Sequence, residues 1–101
     1  MPEKNYDFWI SNSVKCIVRF VTEKGKTTGF VVRLIAFINN QKFEIRRYDT
    51  AHGTPHIDVL NLKGETIEKI WLYQFDEGEA LDFAIEDIKQ NYLTYINRFI
   101  K

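Results

Sequence analysis

The chain has a single cysteine, Cys16, so no internal disulfide can staple it. That residue falls in an apolar stretch, where a thiol behaves as a small buried hydrophobe. The sequence also lacks any apolar run near the roughly 18 residues that a membrane helix needs, and it lacks a signal-peptide pattern. Both absences lead to the expectation of a cytoplasmic protein with no membrane contact. Net charge is missing too, since Lys plus Arg and Asp plus Glu number 14 each. A general nucleic-acid coating protein needs a basic excess to displace counterions, so that class is disfavoured, although a local basic pocket is still allowed. There is no repeat, low-complexity tract or linker. There is also no phosphate-binding glycine loop, dinucleotide fingerprint, nucleophile elbow or zinc-ribbon spacing, and no cofactor is expected.

What is present is apolar and aromatic. Hydrophobic residues make up 45% and aromatic residues 15% of 101 residues. Each buried ring removes a large apolar area from water, so a short chain can still build a core. The length fits one domain spanning residues 1–101. Domains of this size are only marginally stable, which makes a homodimer covering leftover apolar surface a natural expectation.

The pattern predicts an α+β fold, with a meander of about five antiparallel strands over residues 14–75 and one C-terminal amphipathic helix over 76–101. Residues 1–13 are expected to be peripheral. Tyr6, Phe8, Trp9 and Ile10 are too apolar for a solvated tail and should pack onto the domain or a partner chain. Val14 to Glu23 reads as the first strand, being rich in β-branched and aromatic residues. Lys24-Gly25-Lys26 reads as a turn with solvated lysines. Thr28 to Ile38 is an apolar strand broken only by Arg33, which predicts a central strand or a dimer contact. After a turn at Asn39-Asn40-Gln41, Lys42 to Asp49 alternates as a half-buried strand should. His56 to Leu62 and Ile67 to Phe75 complete the five, with core packing expected for Trp71 and Tyr73.

In the helix, Leu81, Ile85, Ile88, Tyr92, Ile96 and Phe99 recur at steps of four and three, so they share one face. Phe83, Ala84, Leu93, Tyr95 and Ile100 are expected to widen it. Asp76 and Glu79 have capping-box spacing. Glu77, Asp82, Glu86 and Asp87 early, with Arg98 and Lys101 late, complement the helix dipole and read as cap and solvated face.

The segment from Arg46 to Asp58 is unlike the rest and holds both histidines of the chain. Read as a hairpin with Asp49 opposite His56, it sets Arg47 opposite Asp58, Ile45 opposite Leu60 and Phe43 opposite Leu62. All eight residues then share one face, apolar at one end and charged at the loop end. A slip of one residue would break the set. The candidate catalytic residues are therefore Arg47, Asp49, His52, His56 and Asp58. An arginine fork can bind phosphate or a carboxylate. A carboxylate beside a histidine orients the imidazole. Two histidines could exchange acid and base roles in phosphodiester cleavage while Arg47 stabilises the transition state. Gly53 would let backbone approach a ligand closely. A structural reading stands beside this one, in which Arg47–Asp58 and Asp49–His56 are only cross-strand ion pairs and His52 is an exposed loop residue. A third reading takes His52, His56 and Asp58, with Asp49 nearby, as ligands of a divalent metal. Arg19 and Arg33 extend a basic floor towards Arg47 if they point inward.

The run Arg47-Tyr48-Asp49, then His52, then Pro55-His56 resembles the R-Y-D…H…P-H signature of TumE-like proteins, small toxin components of toxin–antitoxin pairs, and equally resembles small uncharacterised domain families carrying the same hairpin. The resemblance spans residues 28–75 and implies a toxin-like or nuclease-like role centred on Arg47, Asp49, His52 and His56. It departs at Asp58, near which that family often has another histidine. Two functions follow as expectations. One is a small enzyme acting on RNA or another phosphate ester, paired with a cognate antitoxin. The other is a non-catalytic interaction module, a homodimer or toxin–antitoxin partner.

Overall fold

The computed structural model describes residues 2–51 and 53–101. Six strands form one antiparallel sheet in sequence order: β1 (Glu3–Ser11), β2 (Val14–Glu23), β3 (Lys26–Ile38), β4 (Gln41–Asp49), β5 (His56–Leu60) and β6 (Thr66–Trp71). The helix α1 (Glu77–Phe99) follows. The α+β meander with one C-terminal helix is as expected, and the additional strand comes from the N-terminal segment. The segment expected at the periphery thus holds an edge strand. Glu3 to Ser11 pairs with β2 along its length and forms one edge of the sheet. Phe8 and Ile10 pack on the core, while Tyr6 and Trp9 are exposed on this edge strand.

Local chemistry sets the hairpins. Lys24 and Gly25 both have positive φ, as do Asn39 and Asn40. Two such residues in a row make the tight turn whose twist matches paired strands, and glycine and asparagine tolerate that conformation best. The last strand is shorter than expected. Leu72 donates its N–H to the Pro55 carbonyl and Phe75 donates to the Leu72 carbonyl, so the chain turns there before entering the helix. Asp76 caps the helix: its side chain accepts from the Glu79 N–H, and the Glu79 carboxylate accepts from the Asp76 N–H.

The helix lies on one face of the sheet. Ala80, Leu81, Ala84, Ile88 and Phe99 are buried against Val14, Cys16, Val18, Phe30, Val32, Leu34 and Ala36. Leu93 and Ile100 do not widen this face and point to solvent. β3 is central, as its apolar run implied. Phe30, Val32, Leu34 and Ala36 on its helix side are buried, while Arg33 and Phe37 on the other face are exposed. Among the described residues, no helix is long and apolar enough to cross a membrane.

Cys16 has no solvent exposure, and burial pushes its thiol up to about 12, with Lys89 only partly offsetting this. The native protein should therefore resist iodoacetamide at pH 8, reacting at least about a hundredfold more slowly than the urea-unfolded chain. Mass spectrometry of timed alkylation measures this, and equal rates in the two states would contradict the packing described.

Candidate functional site

Strand β4 divides its charge between the two faces of the sheet. Leu34 pairs with Arg46 and Ile35 pairs with Glu44, so Ile45 is an extra residue on β4. Such a bulge resets the alternation of side chains. Arg46 and Tyr48 lie beneath the helix, while Arg47 and Asp49 lie on the opposite face. This corrects the expected single face of eight residues. The pairs Asp49–His56 and Arg47–Asp58 are present as read from the sequence. Phe43 and Ile45, however, pack on the helix side, Leu60 pairs with Thr66, and Leu62 is exposed. Glu44 takes the place on the charged face that had been assigned to apolar residues.

On that open face Arg47 is the centre of a carboxylate triangle. Its Nη1 is 3.3 Å from Glu44 Oε1, its Nε is 3.3 Å from Asp49 Oδ2, and its Nη2 is 3.2 Å from Asp58 Oδ2. Desolvation alone would lower its pKa, but Glu44, Asp58 and Asp49 outweigh that and hold it above the ordinary arginine value. Two further cations join from neighbouring strands. Arg33 Nε is 3.5 Å from Glu44 Oε2, and Lys69 Nζ is 3.6 Å from Asp58 Oδ1. Arg33 thus extends the basic floor. Arg19 lies on the same face but is engaged with Glu3 at 2.7 Å, apart from the cluster.

His56 is 2% exposed although no helix covers it. Trp71 on β6 stands directly opposite it, with ring centroids 5.1 Å apart. Trp71 and Tyr73 are therefore not core residues: they stack on each other at the surface beside the site. The imidazole Nδ1 lies 3.1 Å from the Thr54 carbonyl, which can only accept a hydrogen bond. Its Nε2 lies 3.0 Å from Asp49 Oδ1 and 3.6 Å from Asp58 Oδ2. Asp49 Oδ1 also accepts the Ala51 N–H, so the loop start holds that carboxylate in place. Gly53 has φ 93°, so its freedom serves the bend of this loop. A depression of ≈ 430 Å³ opens above the cluster, lined by Arg33, Arg47, Asp49, His56, Asp58 and Lys69.

Of the five candidate residues, Arg47, Asp49, His56 and Asp58 converge. His52 lies outside the described residues. Glu44, Lys69 and Trp71 belong to the site and were missed. Alternation on β5 and β6 could have found Lys69 and Trp71, because they face Asp58 and His56 across the ladder. The reverse side of β4 holds a second polar set that motif reading also missed. Tyr48 donates to Asp87 and accepts from Arg46 Nε, and Tyr95 donates to Asp87. Asp87 is therefore a sheet-to-helix anchor and not a solvated-face residue. Burial pushes the Tyr48 and Tyr95 phenols up, so both remain donors at neutral pH.

Arg47→Ala would leave three carboxylates around a lost charge. Removing one partner of a buried pair costs about 3–5 kcal/mol, and partial exposure of Arg47 reduces the expected loss to about 2 kcal/mol. Arg47→Lys should recover only part, since an ammonium cannot reach three carboxylates with a planar fork. Urea unfolding of the three proteins measures this, and a wild-type midpoint for Arg47→Ala would show that the triangle is not holding the hairpin.

No curated protein and no solved structure matches the chain. Over its full span, residues 1–101, the sequence matches the family described as Domain of unknown function (DUF7718), and the chain belongs to that family.

Proposed function

We propose that the open face binds and cleaves a phosphate ester, with RNA as the substrate class and a toxin-like cytoplasmic enzyme as the setting. The observation that carries this reading is the placement of His56. A buried imidazole is held by a carbonyl on one nitrogen and faces two carboxylates with the other, at the floor of a solvent-open depression. Groups so arranged can activate an attacking oxygen. Arg33 and Lys69 are partly exposed on the rim and supply attraction for an anionic ester, while Arg47 adds fixed positive charge near the developing charge of the transition state. The resemblance to TumE-like toxins falls on these same positions, Arg47, Asp49 and His56.

The test uses a labelled RNA oligonucleotide, with Mg²⁺, Mn²⁺ or Zn²⁺ in separate reactions and EDTA as a control. The expected result is cleavage that falls at least about a hundredfold in His56→Gln, with an unchanged circular-dichroism spectrum. Induced wild-type protein should also arrest host growth, while the variant should not. An active, folded His56→Gln protein would refute the reading.

A second reading is favoured by one observation. Trp9 and Phe37 pack at a tilt on the same open face, ring centroids 5.8 Å apart, and both are exposed. Such a pair suits a contact with a second copy or with an antitoxin. Sedimentation should then show a dimer that Trp9→Ser dissociates; a wild-type monomer at high concentration would remove the homodimer.

A further inference from the structure

We infer that Asp49, His56 and Asp58 form a binding site for one divalent first-row transition cation. It rests on the site proposed above for phosphate-ester cleavage and would supply that reading with its electrophile, His56 then holding the ion and not serving as the base itself. It stands on geometry independent of any turnover.

The argument starts from hydrogen-bond accounting. A neutral imidazole has one hydrogen for two nitrogens that both face acceptors: on Nε2 it would serve Asp49 and leave Nδ1 against the Thr54 carbonyl, and on Nδ1 it serves that carbonyl. The Nε2 lone pair then points towards two carboxylates, which are themselves acceptors. Two arrangements resolve this conflict. A second hydrogen on Nε2 makes an imidazolium, or a cation lies among the three groups. The imidazolium satisfies Nε2 but not the whole site. Asp58 Oδ1 is buried and has no hydrogen-bond partner among the described residues; Lys69 Nζ at 3.6 Å balances its charge without donating to it, and Glu44 Oε2, on the other side of Arg47, is in the same condition. A buried anionic oxygen left in that condition is costly. A metal ion on Nε2 and Asp49 Oδ1, with the Asp58 carboxylate turned so that Oδ1 joins it while Oδ2 keeps Arg47, resolves both faults at once.

The spacing fits as well. One donor atom from each of Asp49, His56 and Asp58 can be chosen so that all lie within 4.8 Å of one another. Metal bonds of about 2.1 Å place neighbouring donors about 3.0 Å apart in an octahedron and about 3.4 Å apart in a tetrahedron. Nε2 lies 3.0 Å from Asp49 Oδ1 and 3.6 Å from Asp58 Oδ2, the oxygen that shares a carbon with the orphaned Oδ1. An Nδ1–H bonded to a backbone carbonyl is the usual support of a metal-ligating histidine, and Arg47 fixes the outer edges of both carboxylates. One imidazole and two carboxylates suit Mn²⁺, Fe²⁺ or Zn²⁺ better than Ca²⁺, and three protein donors leave positions for water or a ligand oxygen. Charge sets the occupancy. Glu44, Asp49 and Asp58 are already balanced by Arg33, Arg47 and Lys69, so the ion raises the positive charge of the depression and favours an anionic ligand beside it.

The experiment titrates untagged protein with MnCl₂ and, separately, ZnCl₂ by calorimetry. Wild type should bind one equivalent. Asp58→Asn should weaken binding at least about tenfold, and Lys69→Gln should tighten it by freeing Asp58 Oδ1. NMR adds a test that needs no variant. Mn²⁺ should broaden the indole N–H of Trp71 beside His56 at ratios that leave Trp9, on the far edge strand, sharp. Absent binding, equal affinity in a folded Asp58→Asn protein, or unselective broadening would overturn the site. Metal binding without RNA cleavage would leave this inference standing and sink the substrate. Cleavage that persists in EDTA without metal binding would do the reverse.

Discussion

Two adjacent arginines on one strand set the terms for the rest of the molecule. In strict alternation, Arg46 and Arg47 must face opposite sides of the sheet, and each needs its own counter-charge or aromatic partner. The extra residue at Ile45 allows this without expelling the strand from the core. Ile45 and Phe43 stay under the helix, while Glu44 moves to the side where Arg47 needs it. Arg46 then meets Tyr95 at 3.8 Å from the ring centroid and donates to Tyr48. The bulge is the device that lets one strand carry a core and a charged site back to back.

The open-face cluster is expensive for so small a domain. Three carboxylates surround one partly exposed guanidinium, and a buried imidazole is held against one of them. Replacing a buried ionic set by well-packed apolar residues is often neutral or stabilising, so folding alone gives a sheet face little reason to keep one. Val31 and Ile35 show that this same face of β3 accepts aliphatic residues. What they add to stability does not by itself explain the charges.

The parts of this arrangement that were legible in the sequence are those fixed by short-range rules. The 3.6-residue period and the Asp76–Glu79 spacing mark the helix, and tight-turn residues mark two hairpins. The Asp49–His56 register was open to supposition, because pairing those two residues also sets Arg47 opposite Asp58. The bulge was not legible, because Glu44-Ile45-Arg46 has no glycine and only tertiary packing decides which residue is extra. β1 was missed for a related reason. An edge strand is paired on one side only, so Lys4, Asn5 and Asp7 can sit among its aromatics and hide the alternation. Lys69 and Trp71 needed the next strand pairing, two steps from the motif.

Rigid placement links the two faces. Tyr48 lies between Arg47 and Asp49 in the chain, and its phenol is tied to Asp87 on the helix and to Arg46. Ile57 lies between His56 and Asp58 and is buried in the same core. Each site residue is therefore next in sequence to a residue that the helix side clamps. Groups on paired, clamped strands hold their separations more closely than groups on loops, which an arrangement resting on contacts near 3 Å requires. The helix contributes to the site without touching it, by fixing the backbone whose alternate side chains form it.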